Sequence, residues 1–534
     1  MKRVLNSDKL LILLIWLVIV LVYIFTYGKY GNLYIDCGRE AYIPWQILKG
    51  KVLYKDIFNI YAPGAYIFNA VLYKLFTPNL NVLYLVAMFT YCGISTLLYL
   101  LARLFLSPKT AISLILIIII YTCFSGNVFN FFFPYSYAVI YGLFFVLCSL
   151  YFLFKRNKKD RDYYLSALFA GIALINKYEY IPFVFPLMYL TIIYFKSVKK
   201  ILYSLCLLCS VPILNFFILF LQGLNFFDIL KEAYILRGIF ESETFKFFYS
   251  ATGLTFSVEH IPLLLGLLTL TFLAFFITQK ISHKGVKYSL LVLICLVAKL
   301  VYAYKMLVCI PFLIVILFIR RYKALSNRVK VFFWCYIAIV LKVFSSLMLY
   351  SYGLYFVGIS LVMLLVLLPI KYRRSSLVIM FVYSLFILPF SFDTVNMKDK
   401  PILSTQGYIS QLPYLQHPFV QVYEYLKQNS TSEDLVLAFP EMPLLNFLLQ
   451  RDNDNYLYSL IPMYIEVFGE RNIVNRLAEI EAKYIVINEY SMSSYGVDVF
   501  GKDYAFNIMR YIAQNYEKVF ETNIGLKHYV YRRK

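Results

Sequence analysis

The sequence predicts a polytopic α-helical membrane protein of about thirteen spans, closed by a small extracytoplasmic α/β domain. Three observations carry this. The 534 residues are 61% hydrophobic and 15% charged, whereas a soluble globular chain holds about 25% charged residues. Apolar runs such as 114–120 and 361–368 have no polar side to turn to water. The positive charge is also confined to one part of the chain. Residues 1–392 hold 37 basic and 12 acidic side chains, and residues 393–534 hold 14 and 17.

Taken in order, Lys2 and Arg3 precede an apolar run at 10–25. Tyr27-Gly28-Lys29-Tyr30 follows in place of the small residues of a cleavage site, so the first span is expected to stay, with the N-terminus inside. Further spans are expected at 81–105, 111–126, 135–154, 163–177, 181–195, 201–220, 259–278, 288–303, 306–319, 331–349, 353–369 and 375–391. An odd number of crossings puts the C-terminus outside. Basic clusters at 155–159, 196–200, 320–330 and 371–374 fall between spans on the expected inner side, where anionic headgroups attract them. That placement argues for membrane lipids as partners and against nucleic acid. Usage rich in Lys, Ile, Asn and Tyr fits an AT-rich bacterial genome, so the expected location is a bacterial cytoplasmic membrane.

Residues 1–392 are therefore expected to form the transmembrane module, with a first external loop at 28–80. Within that loop, 65–76 is amphipathic and is expected to lie on the outer surface. A second external segment, 221–258, carries Asp228, Glu232, Arg237, Glu241 and Glu243 and is expected to be a mobile loop. In the soluble domain, 393–534, helices are expected at 419–428, 470–483 and 503–515. Strands are expected at 435–439, 484–488, 518–521 and 528–531. None of the nine cysteines lies in that domain. Cys206 and Cys209 have C-x-x-C spacing inside an apolar helix, and without a second pair they lack the ligands of a metal site.

Acids are scarce before residue 392, so their positions are informative. Asp8, Asp160 and Asp162 sit among basic residues and look like ordinary solvated charge. Asp36, Glu40 and Asp56 fall in the first external loop, within Asp36-Cys37-Gly38-Arg39-Glu40, Gly50-Lys51-Val52-Leu53-Tyr54-Lys55-Asp56 and Pro63-Gly64. On one helical turn Asp36 and Glu40 share a face with Arg39, giving a carboxylate pair and a guanidinium at the outer membrane edge. The plainer reading is that Asp36 caps a helix and the others are interfacial charges. Lys342 lies inside an expected span. The four histidines show no ligand spacing, so no dedicated metal site is expected. A divalent cation at Asp36 and Glu40 is the one metal reading left open. The aromatics at 131–137 are expected to anchor and pack rather than to stack on sugar.

This loop resembles that of the C-type glycosyltransferase superfamily, whose members include protein O-mannosyltransferases and aminoarabinose transferases. The matching residues are Asp36, Gly38, Arg39, Glu40, Gly50, Tyr54, Asp56, Pro63 and Gly64. The resemblance implies an inverting glycosyltransferase with a polyprenyl-phosphate sugar donor. The acceptor would be a hydroxyl of an envelope lipid, glycan or protein. A first-loop carboxylate would be the general base, either Asp36 or Glu40. Relatives often have two adjacent acids where this chain has Arg39-Glu40, which leaves the two alignments open. Arg39, Asp56, Lys177, Arg237 and Lys305 are the expected donor-phosphate or substrate partners. Against this, Lys177 reads as a snorkelling lysine paired with Glu179, Arg237 as loop charge, and Lys305 stands where relatives often have His-Tyr. The absence of a Gly-rich phosphate loop fits a lipid-borne donor. A lipid or glycan transporter, or a silent envelope protein on the same scaffold, are the alternatives. A transporter calls for ionisable groups at the midplane and repeated halves.

Overall fold

The computed structural model describes residues 2–123, 129–252, 261–283, 285, 286, 289–294, 309–345, 352–396, 398 and 402–534. Apolar runs fold as helices because only a helix satisfies its own backbone where water is absent. These are α1 (Lys2–Thr26), α4 (Leu80–Arg103), α5 (Pro108–Cys123), α6 (Tyr137–Phe154), α7 (Asp160–Asn176), α8 (Ile181–Phe195) and α9 (Val198–Leu221). They continue as α12 (Ile261–Lys280), α13 (Cys309–Arg321), α14 (Asn327–Ser345), α15 (Val357–Leu367) and α16 (Ile370–Asn396). Among the described residues, five helices are long and apolar enough to cross a membrane: Asp8–Thr26, α4, α6, Tyr178–Phe195 and α9. The expected span at 288–303 lies largely outside the described residues.

Charged pairs gather the helix ends. Arg103 pairs with Asp8 at 3.0 Å, Lys155 with Asp162 at 2.6 Å and Lys200 with Asp160 at 2.6 Å. The start of α1 therefore lies with the end of α4, and the starts of α7 and α9 lie with the end of α6. At the opposite end, Tyr27 donates to Asn81 at 2.6 Å, joining the end of α1 to the start of α4. α1 and α4 therefore run antiparallel.

The first external loop folds as α2 (Cys37–Leu48) and α3 (Gly64–Phe76). The stretch expected to be amphipathic forms α3. Tyr66, Asn69 and Tyr73 are buried, and Tyr141 donates to Asn69 at 2.7 Å, while Phe68, Val71, Leu75 and Phe76 face outward. A polar inner face with an apolar outer face suits a helix embraced by protein on one side and lipid on the other. The segment expected to be a mobile loop instead forms α10 (Phe226–Glu241) and α11 (Glu243–Ala251) over its described part. Asn225 and Asp228 cap α10 reciprocally, and Glu466 accepts from the backbone N–H groups of Glu243 and Thr244 at 3.0 and 3.1 Å. Docking onto the C-terminal part is what orders it.

Beyond a short hairpin, β1 (Ile402–Ser404) with β2 (Gly407–Ile409), the chain forms α17 (Pro413–Asn429), β3 (Val436–Phe439), α18 (Pro443–Leu449), α19 (Pro462–Phe468) and α20 (Glu470–Ile480). β4 (Tyr484–Asn488), α21 (Phe506–Asn515), β5 (Tyr516–Glu521) and β6 (His528–Arg533) complete it. The sheet order is β3-β4-β6-β5, with β3 parallel to β4 and the other pairings antiparallel. Every residue of β3 and β4 is buried, as expected of parallel strands covered on both faces.

This part is locked onto the first loop. Tyr42 donates to Asn453 at 2.6 Å, Lys49 and Lys51 pair with Asp452 at 2.9 and 3.4 Å, and Tyr73 stacks on Phe447. Gly38 is the tightest point, since a Cβ there would lie 2.6 Å from the backbone nitrogen of Leu444. Gly38→Ala is therefore expected to destabilise the protein by about 1–3 kcal/mol through overpacking against immobile backbone. Thermal unfolding in detergent should show a lowered midpoint, and an unchanged midpoint would mean that α2 and α18 can slide apart freely.

Candidate functional site

The site is built around the first turn of α2. Asp36 occupies the N-cap position, yet its side chain makes no capping hydrogen bond. Its backbone lies at φ 52°, ψ −66°, and the Cys37 N–H donates to the Ile35 carbonyl at 2.6 Å. That geometry is a γ-turn of the positive-φ kind, a rare and strained conformation for a residue bearing a Cβ. Such strain costs on the order of 1–3 kcal/mol and persists only where surrounding structure enforces it. The turn frees the carboxylate from capping duty and aims it at Arg39, whose Nη1 lies 3.3 Å from Asp36 Oδ1. Although protein surrounds it, the Asp36 side chain keeps 27% of its exposure. Burial pushes its pKa above the usual carboxylate value, and the Arg39 guanidinium opposes that rise.

Glu40 differs. Its side chain is fully buried, and both oxygens are committed. Oε1 accepts from Tyr66 at 3.0 Å and from Arg39 Nε at 3.3 Å, and Oε2 accepts from the Tyr137 backbone N–H at 2.8 Å. Burial raises its pKa despite these donors. Arg39 bridges the two acids and directs its remaining donors to the Tyr135 carbonyl at 2.9 Å and the Tyr61 hydroxyl at 3.5 Å. Its guanidinium also lies over the Tyr61 ring at 4.5 Å. The guanidinium occupies the space between the carboxylates that a divalent ion would need, so this pair does not fit such an ion. Among the described residues no group of three or more His, Cys, Asp or Glu side chains is placed to hold a metal.

Lys177 joins the same site. Its ammonium lies within 5.1, 5.9 and 5.4 Å of the Tyr61, Tyr135 and Tyr352 ring centres, and it shares the first two rings' surroundings with Arg39. No ion pair to Glu179 is formed, and Glu179 instead accepts from the Tyr352 hydroxyl. An ammonium held over aromatic faces is stabilised by them.

The remaining predicted residues lie elsewhere. Asp56 accepts from the Val52 N–H at 2.8 Å and closes a turn. Arg237 pairs with Glu241 at 2.8 Å on the exposed side of α10. Lys305 lies outside the described residues. The aromatic stretch near 131–137 supplies the Tyr135 carbonyl and the Tyr137 N–H, so its packing role and the site coincide.

One acid has no counterpart in the sequence reading. Glu441, in the turn between β3 and α18, faces the Asp36 backbone N–H and feels its carboxylate. The available signal was its place at the carboxyl end of a buried parallel strand, where open α/β sheets present functional groups. Burial and the Asp36 charge push its pKa up to about 8 from an ordinary 4.5. A raised carboxylate pKa means that the folded state holds the proton that the unfolded chain releases. The associated stability is present below about pH 4.5 and falls as pH rises toward about 8. Glu441→Gln, which cannot ionise, is expected to flatten that part of the dependence of the unfolding midpoint on pH. A slope identical to the unaltered protein's would show that Glu441 is ionised throughout.

Comparison with known proteins follows the same line. No family model matches the sequence, and no curated protein matches it. Solved structures do. The chain superposes on ArnT from Cupriavidus metallidurans bound to undecaprenyl phosphate with a TM-score of 0.52 at 10% identity, over 97% of each chain. It superposes on the Archaeoglobus fulgidus oligosaccharyltransferase in complex with zinc and sulfate with a TM-score of 0.52 at 11% identity, over 97% of this chain and 72% of that one. It also matches AglB of the same archaeon, in complex with an inhibitory peptide and a dolichol-phosphate, with a TM-score of 0.51 at 9% identity. That match spans 90% of this chain and 69% of the other. The chain shares its fold with ArnT and with the archaeal oligosaccharyltransferase. Five of its described helices are long and apolar enough to cross a membrane.

Proposed function

We propose that the protein is an inverting glycosyltransferase of the bacterial cytoplasmic membrane. It moves a sugar from a polyprenyl-phosphate donor to a hydroxyl of an envelope lipid, glycan or protein. In this reading the chain crosses the membrane thirteen times, with residues 1–392 as the transmembrane module and 393–534 as an extracytoplasmic domain over the site. The acceptor hydroxyl gives its proton to Asp36 as its oxygen bonds to the anomeric carbon. The carbon–oxygen bond to phosphate breaks with inversion, and the lipid phosphate departs with the electron pair. Lys177 meets the charge that develops on that phosphate. Arg39 orients Asp36, and Glu40 holds Arg39. The similar folds with lipid phosphates bound support the donor class.

The observation that carries this reading is the strained turn that withholds Asp36 from capping α2 and leaves its partly exposed carboxylate beside Arg39. The test is a deletion of the native copy followed by mass spectrometry of total lipid and of envelope glycans. Accumulation of one polyprenyl-phosphate sugar with loss of one glycan decoration is expected. Unchanged lipid-linked sugars and glycans would remove the transferase reading.

A further inference from the structure

A second feature lies away from Asp36, where the first loop, α10 and the C-terminal part meet. A cavity of about 240 Å³ is lined there by Lys55, Lys231 and Arg476, with Asn455, Asn472 and Tyr456 among the other walls. Three cations from three separate segments converge on one small hollow, and among the described residues none of them is in an ion pair. The nearby acids of the first loop and of the C-terminal part are engaged elsewhere. Asp454 pairs with Lys51 at 3.0 Å, Asp452 with Lys49 at 2.9 Å, and Asp56 is held by the Val52 N–H at 2.8 Å. Glu232 follows Lys231 in α10, interacts with its charge and accepts from the Tyr456 hydroxyl, so one carboxylate stands at the wall beside three cations. Like charges brought together repel, and an anion bound among the three relieves that repulsion.

The floor narrows the class of anion. Tyr456 and Phe468 both line the hollow, and Lys231 sits over the Tyr456 ring at 4.5 Å. Aromatic faces receive the C–H face of a sugar, and the two asparagine amides can bond hydroxyls. The volume lies just below the range of about 300–1,000 Å³ typical of drug-sized ligands, so the occupant is a single small unit. A phospholipid would also need an apolar furrow for its acyl chains, whereas the cations and amides here surround a compact hollow.

We infer that this hollow binds a phosphate-bearing sugar unit, with Lys55, Lys231 and Arg476 on the phosphate and Tyr456 under the ring. In the transferase reading, on which this step rests, the unit belongs to the acceptor. The route between the two sites is short. Tyr456 is two residues from Tyr458, roughly 7 Å of extended chain, and Tyr458 packs on Tyr42 of α2 with ring centres 5.9 Å apart. On the other wall, Lys55 follows Tyr54, whose hydroxyl donates to the Tyr61 carbonyl at 2.7 Å. An acceptor anchored here by its phosphate would extend its next sugar toward Asp36.

The test reads binding rather than transfer, so it stands apart from the fate of the transferase reading. The full-length protein in detergent is titrated with glucose 6-phosphate, glucose and short-chain phosphatidylglycerol by isothermal calorimetry. Saturable binding of glucose 6-phosphate, with none of glucose, is expected. Lys231→Gln/Arg476→Gln should weaken it by at least about tenfold, because hydrogen bonds to charged groups are lost. Both positions are exposed, so the variant should fold, and an unchanged thermal midpoint confirms that it has. Equal affinity in the variant, no binding of glucose 6-phosphate, or displacement by phosphatidylglycerol would each overturn the inference. The last of these would assign the hollow to a lipid headgroup.

Discussion

Asp36→Asn is expected to cut turnover by about 10²–10⁴-fold, the usual contribution of a positioned general base, while leaving the protein folded and the donor bound. The substitution is close to isosteric. Asn keeps an oxygen for Arg39, which lies 3.3 Å away, and it tolerates positive φ better than most residues. What it removes is the ability to take a proton. Measured on purified protein in lipid nanodiscs with a polyprenyl-phosphate sugar, kcat should fall while KM for the donor changes little, since the lost interaction belongs to the transition state. Retention of turnover would mean that the acceptor proton leaves by another route, with Glu441 as the next group to test.

The same residue offers a second readout that a purely structural role would not give. Asp36 sits in a γ-turn at φ 52°, where glycine is unstrained. Asp36→Gly is therefore expected to be inactive yet more stable, by an amount within the roughly 1–3 kcal/mol such strain costs. A site that gives up stability for a presented carboxylate has the signature of catalysis. If the glycine variant were less stable, the carboxylate's pairing with Arg39 would outweigh the strain and its role would be mainly to hold the turn.

Much of this arrangement was legible in the residues. Apolar runs without a polar side forecast α4, α6 and α9, whereas Asp8, Asp160 and Asp162, expected to be solvated charge, instead pair with Arg103, Lys200 and Lys155 across helix ends. The spacing of Asp36, Arg39 and Glu40 forecast a shared turn, and the two ion pairs of Arg39 realise it. Other features left no local trace. The γ-turn depends on how α2 docks onto α18, and Gly38 reveals its purpose only once Leu444 is placed against it. Glu441 reaches Asp36 across some four hundred residues of sequence, a distance no pattern spans. With 51 tyrosines in the chain, nothing distinguished Tyr61, Tyr135 and Tyr352 as the rings around Lys177.

The second large effect concerns Arg39. Its guanidinium is almost wholly buried and reaches Asp36, Glu40, Tyr61 and Tyr135 at once. Arg39→Met keeps much of the side-chain volume but leaves Glu40 buried without a counter-charge. Breaking a buried ion pair from one side costs about 3–5 kcal/mol, because the surviving charge stays desolvated. That is a large part of the 5–15 kcal/mol by which domains are usually stable, so a sharp fall in the unfolding midpoint and in monodisperse yield is expected. Glu40→Gln in the same chain removes the stranded charge, and its amide oxygen can still accept from the Tyr137 N–H while its NH2 donates to the Tyr66 hydroxyl. The double variant should therefore recover much of the lost stability, with a coupling energy well above the few tenths seen for independent sites. It should remain inactive, because Asp36 then has no guanidinium to orient it. Recovery of stability without recovery of turnover would separate the two tasks of Arg39: compensating Glu40 within the fold and aiming Asp36 within the site. If the single variant were as stable as the unaltered protein, Glu40 must already be protonated, which its raised pKa permits, and the pair would be a hydrogen-bonded rather than an ionic one. Raising the pH distinguishes these cases, since a neutral Glu40 left beside an uncharged thioether would begin to ionise and the variant alone would lose stability.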